Sequence, residues 1–308
     1  MRRLATIDLG TNTVRLLVVE TEGEGWRTLH ESQHVTRLGE GQAAAGRLCD
    51  EPMSRTVAVV GGFVSAAERL GVSDVHIVAT SAVREAPNGA EFAGRVKAAT
   101  GRLVQILSGD DEARLTLLAV RRSLPQLPES FVLFDIGGGS TEFVLCRQGG
   151  TAAAASLRLG VVPLTEEFMD AGAVAWGRFA LMRQRIEAQL AREVPEAIVS
   201  AAAGDLVGTA GTVAALAALD LGLAAYDADR VHGHRLTRAA VEALLARLGA
   251  LTLEERSRLP CLEPGRADVL IPGIAICLAA MERLGFHSLI VSDHGLREGI
   301  LCAILALP

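Results

Sequence analysis

Apolar positions run almost unbroken through residues 4–9 (LATIDL) and 14–19 (VRLLVV), broken by Thr6, Asp8 and Arg15, with a polar turn at Gly10 to Thr13 between them. The pattern predicts two strands joined by a hairpin, and residues 26–35 read as a third strand. A helix is predicted near 53–70, then the strand DVHIVAT (74–80), a helix near 89–100 and the strand LVQIL (103–107). After Ser108, Leu115, Leu118 and Ala119 fall at helical spacing. The stretch SLPQLPES (123–130) is punctuated by proline and marks the expected boundary between a first domain, 1–124, and a second, 125–308.

Beyond that boundary the pattern restarts. FVLFDIGGGSTEFVLC (131–146) is again strand, glycine turn, strand, and 150–160 resembles a third strand followed by a turn. Helices are predicted near 163–193, then a short strand, with GTAGT (208–212) opening a helix. Further helices cover 237–248 and about 264–284. The strand SLIVSD (288–293) precedes a last helix from about 295 to 307, counted with the second domain but a candidate to pack back on the first. Each half thus begins with a strand, an Asp (Asp8, Asp135), a glycine-rich turn and another strand. Such a duplication predicts two similar α/β domains facing each other across a cleft.

Composition narrows the function. The chain has 308 residues, half of them apolar, enough for a sizeable core and too apolar for wholesale disorder. A net charge of −6 argues against a general nucleic-acid binder. Lys97 is the only lysine, so a phosphate clamp here must use Arg or backbone N–H groups. The five cysteines are odd in number and no pair is spaced C-x-x-C, which fits reduced thiols in a cytoplasm rather than disulfides or zinc. No secretory core precedes the first strand, and VLIPGIAICLAAM (269–281) is too short to span a bilayer, so it is expected as a buried helix and no membrane partner is expected.

The glycine turns carry the candidate chemistry. An Asp at a strand end is costly unless it faces water, a metal or hydrogen-bond donors. Glycines after it admit positive φ and remove side chains, so that N–H groups converge on a phosphoryl group. GTNT (10–13) and GGGST (137–141) both fit, and neither is a Walker A loop. One such hairpin alone is an ordinary turn; two, each with Asp before and Thr after, point to phosphate.

TIDLGTNTVRLLV, ATSAVREAPN, DDEARLTLLAV, FDIGGGSTEFVL, GTAGT and SDHGLREGIL follow in order over residues 4 to about 301. Together they resemble the exopolyphosphatase and guanosine pentaphosphate phosphohydrolase family, in its short two-domain form. The resemblance implies two actin-like (ribonuclease H-like) α/β domains of the sugar kinase, Hsp70 and actin superfamily, with a cleft between them. It implies Mg²⁺-dependent hydrolysis of a terminal phosphoanhydride, the substrate being inorganic polyphosphate or guanosine pentaphosphate, and leaves a homodimer open. Glu112 then matches the residue that activates water, and Asp135 and Glu142 the carboxylates tied to metal and water. Gly137, Gly138, Gly139, Ser140 and Thr141 match the phosphate loop, Asp8, Thr11, Asn12 and Thr13 the first loop, and Arg84 a basic residue on phosphate. Gly208, Thr209, Gly211 and Thr212 match a further loop at the cleft floor.

Plainer roles compete for some of these. Ser108 with Asp110, Asp111 and Glu112 also reads as a capped, dipole-matched helix start; Arg84 also reads as a surface partner of Glu85. His232 and His234, two apart with no cysteine nearby, are expected to make a poor zinc set. His294, where relatives carry a small residue, is expected as a bystander, and Asp293 and Arg297 as cap and packing residues. Intact Glu112, Asp135 and Glu142 favour a hydrolase over a silent alarmone-binding regulator, and Glu112 in EARL favours water over a sugar hydroxyl as acceptor. The acidic balance and the missing C-terminal extension favour short polyphosphate chains.

Overall fold

The computed structural model describes residues 2–23, 25–201, 204–263 and 265–305. The chain divides into two compact units. One comprises the residues up to Leu115 together with those from Leu296 on; the other runs from Thr116 to Gly295.

The first unit is built on a sheet of β1 (Arg3–Leu9), β2 (Thr13–Glu22), β3 (Gly25–Val35), β4 (Asp74–Ala79) and β5 (Val104–Ile106), in the order β3-β2-β1-β4-β5. β1, β2 and β3 form an antiparallel meander, and β1, β4 and β5 run parallel. Successive strand residues face opposite sides. Ala5, Ile7 and Leu9 pack with Met53, Val60 and Val64 of the helix Asp50–Arg69 and with Phe92 and Val96 of the helix Gly89–Thr100. Leu4, Leu17 and Val19, on the other face, pack against Leu301 of the C-terminal helix Leu296–Ile304. Asp8 shares the parity of Leu4, so it lies on the face that this last helix covers. A Cβ on Gly299 would sit 2.0 Å from the carbonyl oxygen of Leu115, so the two chain segments touch through backbone.

The second unit repeats the design. β6 (Phe131–Ile136), β7 (Thr141–Arg147) and β8 (Gly150–Leu157) form the meander; β9 (Leu206–Thr209), β10 (Arg235–Thr237) and β11 (Ser288–Val291) extend it to the order β10-β11-β9-β6-β7-β8. Phe134 and Phe143 head a core that includes Met182, Ile186 and Leu190 of the helix Trp176–Glu193. The stretch expected as a buried helix is one: Leu270 to Met281 are all buried in the helix Leu270–Arg283, and Pro272 lies in its first turn, where a missing N–H costs little. The fold class is that expected, two α/β units of one design.

Local differences from expectation are small. The helices predicted near 163–193 are present as Val161–Phe168 and Trp176–Glu193. In GTAGT, Gly208 and Thr209 end β9, and the helix Ala210–Asp220 begins after them. The five cysteines are free, four of them buried, and burial alone pushes the Cys277 thiol up to about 12. Among the described residues no helix is long and apolar enough to cross a membrane.

Candidate active site

Each unit presents one tight hairpin at the end of its first strand. In the first, the Gly10 N–H donates to the Thr13 carbonyl at 3.1 Å; in the second, the Gly137 N–H donates to the Ser140 carbonyl at 2.9 Å. A Cβ on Gly10 would lie 2.9 Å from the Thr13 oxygen, and one on Gly137 3.0 Å from the Ser140 oxygen. Neither Gly10 nor Gly137 has a positive φ, contrary to expectation: glycine is needed here for close approach, not for handedness.

Both turns are braced from the segment that follows the third strand. The carbonyls of Thr11 and Asn12 accept from the N–H groups of Gly39, Thr36 and Arg37; those of Gly137 and Gly138 accept from Val161 and Val162. A Cβ on Gly39 would meet the Thr11 methyl at 2.3 Å, whereas one on Gly160 would meet the Gly138 oxygen at 2.3 Å and Gly139 backbone at 2.4 Å.

Hydroxyl groups near the turns divide into two sets. Thr141 Oγ1 donates to the Leu159 carbonyl at 2.5 Å, and Thr209 Oγ1 lies 3.0 Å from the carbonyls of both Ser292 and His294. These hydroxyls hold the backbone. Those of Thr11, Thr13, Ser140 and Thr212 make no hydrogen bond among the described residues and remain available to a ligand. Asn12 Oδ1 is buried without a partner.

The register decides which side chains share a face. Asp135 lies opposite Glu142 between β6 and β7 and pairs with Thr209 on β9, while Glu142 lies opposite Ser156 on β8. Directly opposed residues have Cβ atoms about 5 Å apart on one face. Asp135 and Glu142, which sequence spacing alone left unresolved, are therefore side by side. Glu142 is 2 % exposed, and Ser156 Oγ donates to its Oε1 at 2.7 Å.

In the first unit the corresponding partner of Asp8 is Arg15. Burial pushes the Asp8 carboxyl up, against the downward pull of Arg15 and Arg297; Glu298 adds a smaller push upward. Arg297, expected as a packing residue, pairs with Glu298 at 3.3 Å. They reach Asp8 because the last helix packs on its face of the sheet, and no local sequence signal could have shown that.

Glu112 and Arg84 come together. Glu112 is in the first turn of the helix Gly109–Ser123 and only 9 % exposed. Arg84, on the short helix Ser81–Glu85, donates to Glu112 Oε2 at 2.9 Å and to the Leu107 carbonyl at 3.1 Å, and pairs with Glu85 at 3.2 Å. Asp111 keeps the plainer role: its N–H donates to Ser108 Oγ, and its carboxylate accepts from that hydroxyl at 2.7 Å.

Gly208 is set by packing, since a Cβ there would meet Val213 at 3.0 Å and Phe134 at 3.1 Å. Ala210, between Thr209 and Gly211, has φ 72°, a left-handed backbone costing a non-glycine residue about 1 kcal/mol. Nothing in its sequence marked it. The His232 and His294 rings lie 5.0 Å apart, tilted by 40°; His232 Nε2 lies 3.1 Å from the Ser123 carbonyl, and its Nδ1 accepts from the Asp293 N–H at 3.2 Å. Among the described residues no group of three or more His, Cys, Asp or Glu is placed to hold a metal, so a cation at Asp135 and Glu142 would take its other ligands from water and substrate.

The model of the Ppx/GppA phosphatase family matches residues 17–307. The chain is 32% identical over 323 residues to Exopolyphosphatase 2 of Mycobacterium tuberculosis strain H37Rv, covering 99% of each chain. It is 32% identical over 301 residues to Exopolyphosphatase 1 of that strain, covering 97% of this chain and 87% of the relative. The crystal structure of the Aquifex aeolicus Ppx/GppA family member matches with a TM-score of 0.81 at 33% identity, covering 99% of this chain and 98% of that one. An exopolyphosphatase structure from Cytophaga hutchinsonii, at 24% identity, has a TM-score of 0.91 over 99% of this chain and 98% of its own and speaks to the fold alone.

Proposed function

Because the chain belongs to the Ppx/GppA phosphatase family and is a phosphoanhydride hydrolase, we propose that it is an exopolyphosphatase that removes the terminal phosphate of inorganic polyphosphate as orthophosphate. The observation that carries this reading is the Asp135–Glu142 pair, in register on one sheet face beside the Gly137–Ser140 turn.

Two adjacent carboxylates suit Mg²⁺, which binds through one or two carboxylates and fills its shell with water and phosphate oxygens. Asp135 and Glu142 would hold it, and its chemistry there would be to neutralise charge on the transferring phosphoryl group. The N–H groups beyond Gly137, with the Ser140 hydroxyl, cradle phosphate oxygens; Thr11 and Thr13 offer the same kind of grip in the first unit. Glu112, its carboxylate oriented by Arg84, directs a water at the terminal phosphorus and takes its proton. The new P–O bond forms as the anhydride P–O bond breaks, releasing orthophosphate and a chain one unit shorter. Arg84 adds positive charge to the bound phosphate. The net charge of −6 favours short chains, and the five free cysteines fit a reducing compartment, the cytoplasm in this reading.

The test is orthophosphate release with Mg²⁺ from short polyphosphate, long polyphosphate, guanosine pentaphosphate and ATP side by side. Short polyphosphate is expected to turn over fastest, and Glu112→Gln to lower kcat about 10³-fold with KM little changed. A variant as active as the parent would remove Glu112 from the mechanism. Guanosine pentaphosphate as the best substrate would replace polyphosphate in the reading.

A further inference from the structure

The polar row of the second sheet does not stop at the two carboxylates. Across β8, β7, β6 and β9 the register aligns Ser156, Glu142, Asp135 and Thr209, so a hydroxyl stands at each end of the pair. Thr209 is spent on the Ser292 and His294 carbonyls. Ser156 is not spent on backbone: it points its hydroxyl inward at Glu142 Oε1, 2.7 Å away.

Several features set this contact apart from a chance surface hydrogen bond. β8 is the edge strand of its sheet. Ser156 itself is exposed, yet its partner is almost completely buried. The residues of β8 that precede it, Ala152 to Ala155, are all alanine. An ionised carboxylate is only an acceptor, so the hydroxyl must donate, and the length matches a charge-assisted O–H···O⁻ bond. Such a bond fixes the rotation of the carboxylate plane and directs the remaining lone pairs. Groups that hold a ligand's carboxylate in this way commonly govern metal affinity as strongly as some ligands do.

We propose that Ser156 is a positioning residue for Glu142: it orients that carboxylate toward Asp135 so that the two bind one divalent cation. The inference rests on the reading of Asp135 and Glu142 as cation ligands. It predicts that Ser156 acts on metal affinity first and on turnover only through it.

The experiment compares the full-length protein with Ser156→Ala, Ser156→Thr and Glu142→Gln. Binding of Mn²⁺, used as a paramagnetic stand-in for Mg²⁺, is followed without substrate by loss of the free-ion EPR signal. The Mg²⁺ dependence of phosphate release is measured on the same samples. Ser156→Ala is expected to weaken Mn²⁺ binding and raise the half-saturating Mg²⁺ about tenfold, with turnover recovering at high Mg²⁺. Ser156→Thr keeps the hydroxyl on a strand-compatible side chain and is expected to restore both. Thermal melting of Ser156→Ala and Ser156→Thr without metal should stay near the parent, because Ser156 itself is exposed on the edge strand. Unchanged Mn²⁺ binding in Ser156→Ala, with binding lost in Glu142→Gln, overturns the role of Ser156 and leaves the metal site standing. Parental Mn²⁺ binding in Glu142→Gln removes the cation site itself, and the inference with it.

Discussion

Across the first sheet, one row of paired residues reads Gln33, Arg15, Asp8, Val78; across the second, the topologically matching places hold Ser156, Glu142, Asp135, Thr209. The hairpins beside these rows are built alike, down to the glycine that begins each turn and the later segment that braces it. Their charges differ. Asp8 has a cationic neighbour across the ladder, while Asp135 has a second carboxylate. A duplicated backbone thus offers the same phosphate-shaped turn twice. The residue opposite the Asp is an arginine in the first unit and a carboxylate in the second.

Three measurements probe that contrast. The largest effect is expected from changing the opposing residue itself. Glu142→Gln should lower kcat about 10³-fold, because it removes one of the two carboxylates proposed to hold the cation that neutralises the transferring phosphoryl group. Arg15→Gln, which removes the cation facing Asp8 beside the first turn, should raise KM about tenfold and leave kcat within about threefold, the signature of weakened binding. Equal kinetic signatures for the two variants, read from initial rates at varied polyphosphate, would erase the division of labour.

The braces come next. Gly160→Ala drives a Cβ into the backbone of Gly138 and Gly139, which cannot swing aside, whereas Gly39→Ala meets only the Thr11 methyl. We expect a loss of about 3 kcal/mol for the first and about 1 kcal/mol for the second in urea unfolding. The reverse order would mean that the second turn is the more yielding one.

The smallest effect concerns Asp8. Its carboxyl is raised from 3.8 chiefly by burial, so the folded chain holds that proton more tightly than the unfolded chain. The resulting stability is complete below the unfolded value and is lost as pH rises through the folded one. Asp8→Asn has no such loss, so at pH 7 it should melt about 2 °C above the parent, and the difference should close toward pH 4. A variant that melts lower than the parent at pH 7 would mean that Arg15 and Arg297 outweigh burial, and that the first hairpin is held together by the charge on Asp8.

Much of this architecture is legible in the chain itself. Alternation and helical spacing are local consequences of which face each residue must bury, so the meanders, their glycine turns and most helices fall where periodicity places them. The phosphate-binding candidates Thr11, Thr13 and Ser140 were also visible, because a turn's composition is a property of a few consecutive residues.

Only the tertiary structure decided the rest. Asp135 and Glu142 face each other because the ladder is in one register; a slip by one residue would send one of them to the opposite face. Ser156 joins them from β8, Arg84 meets Glu112 across 28 positions of sequence, and Arg297 and Glu298 reach Asp8 from the far end of the chain. The left-handed Ala210 and the spent hydroxyls of Thr141 and Thr209 were equally silent in sequence. Periodicity records whether a side chain is buried. Which group it then meets depends on the pairing and packing of the whole unit, which no local window contains.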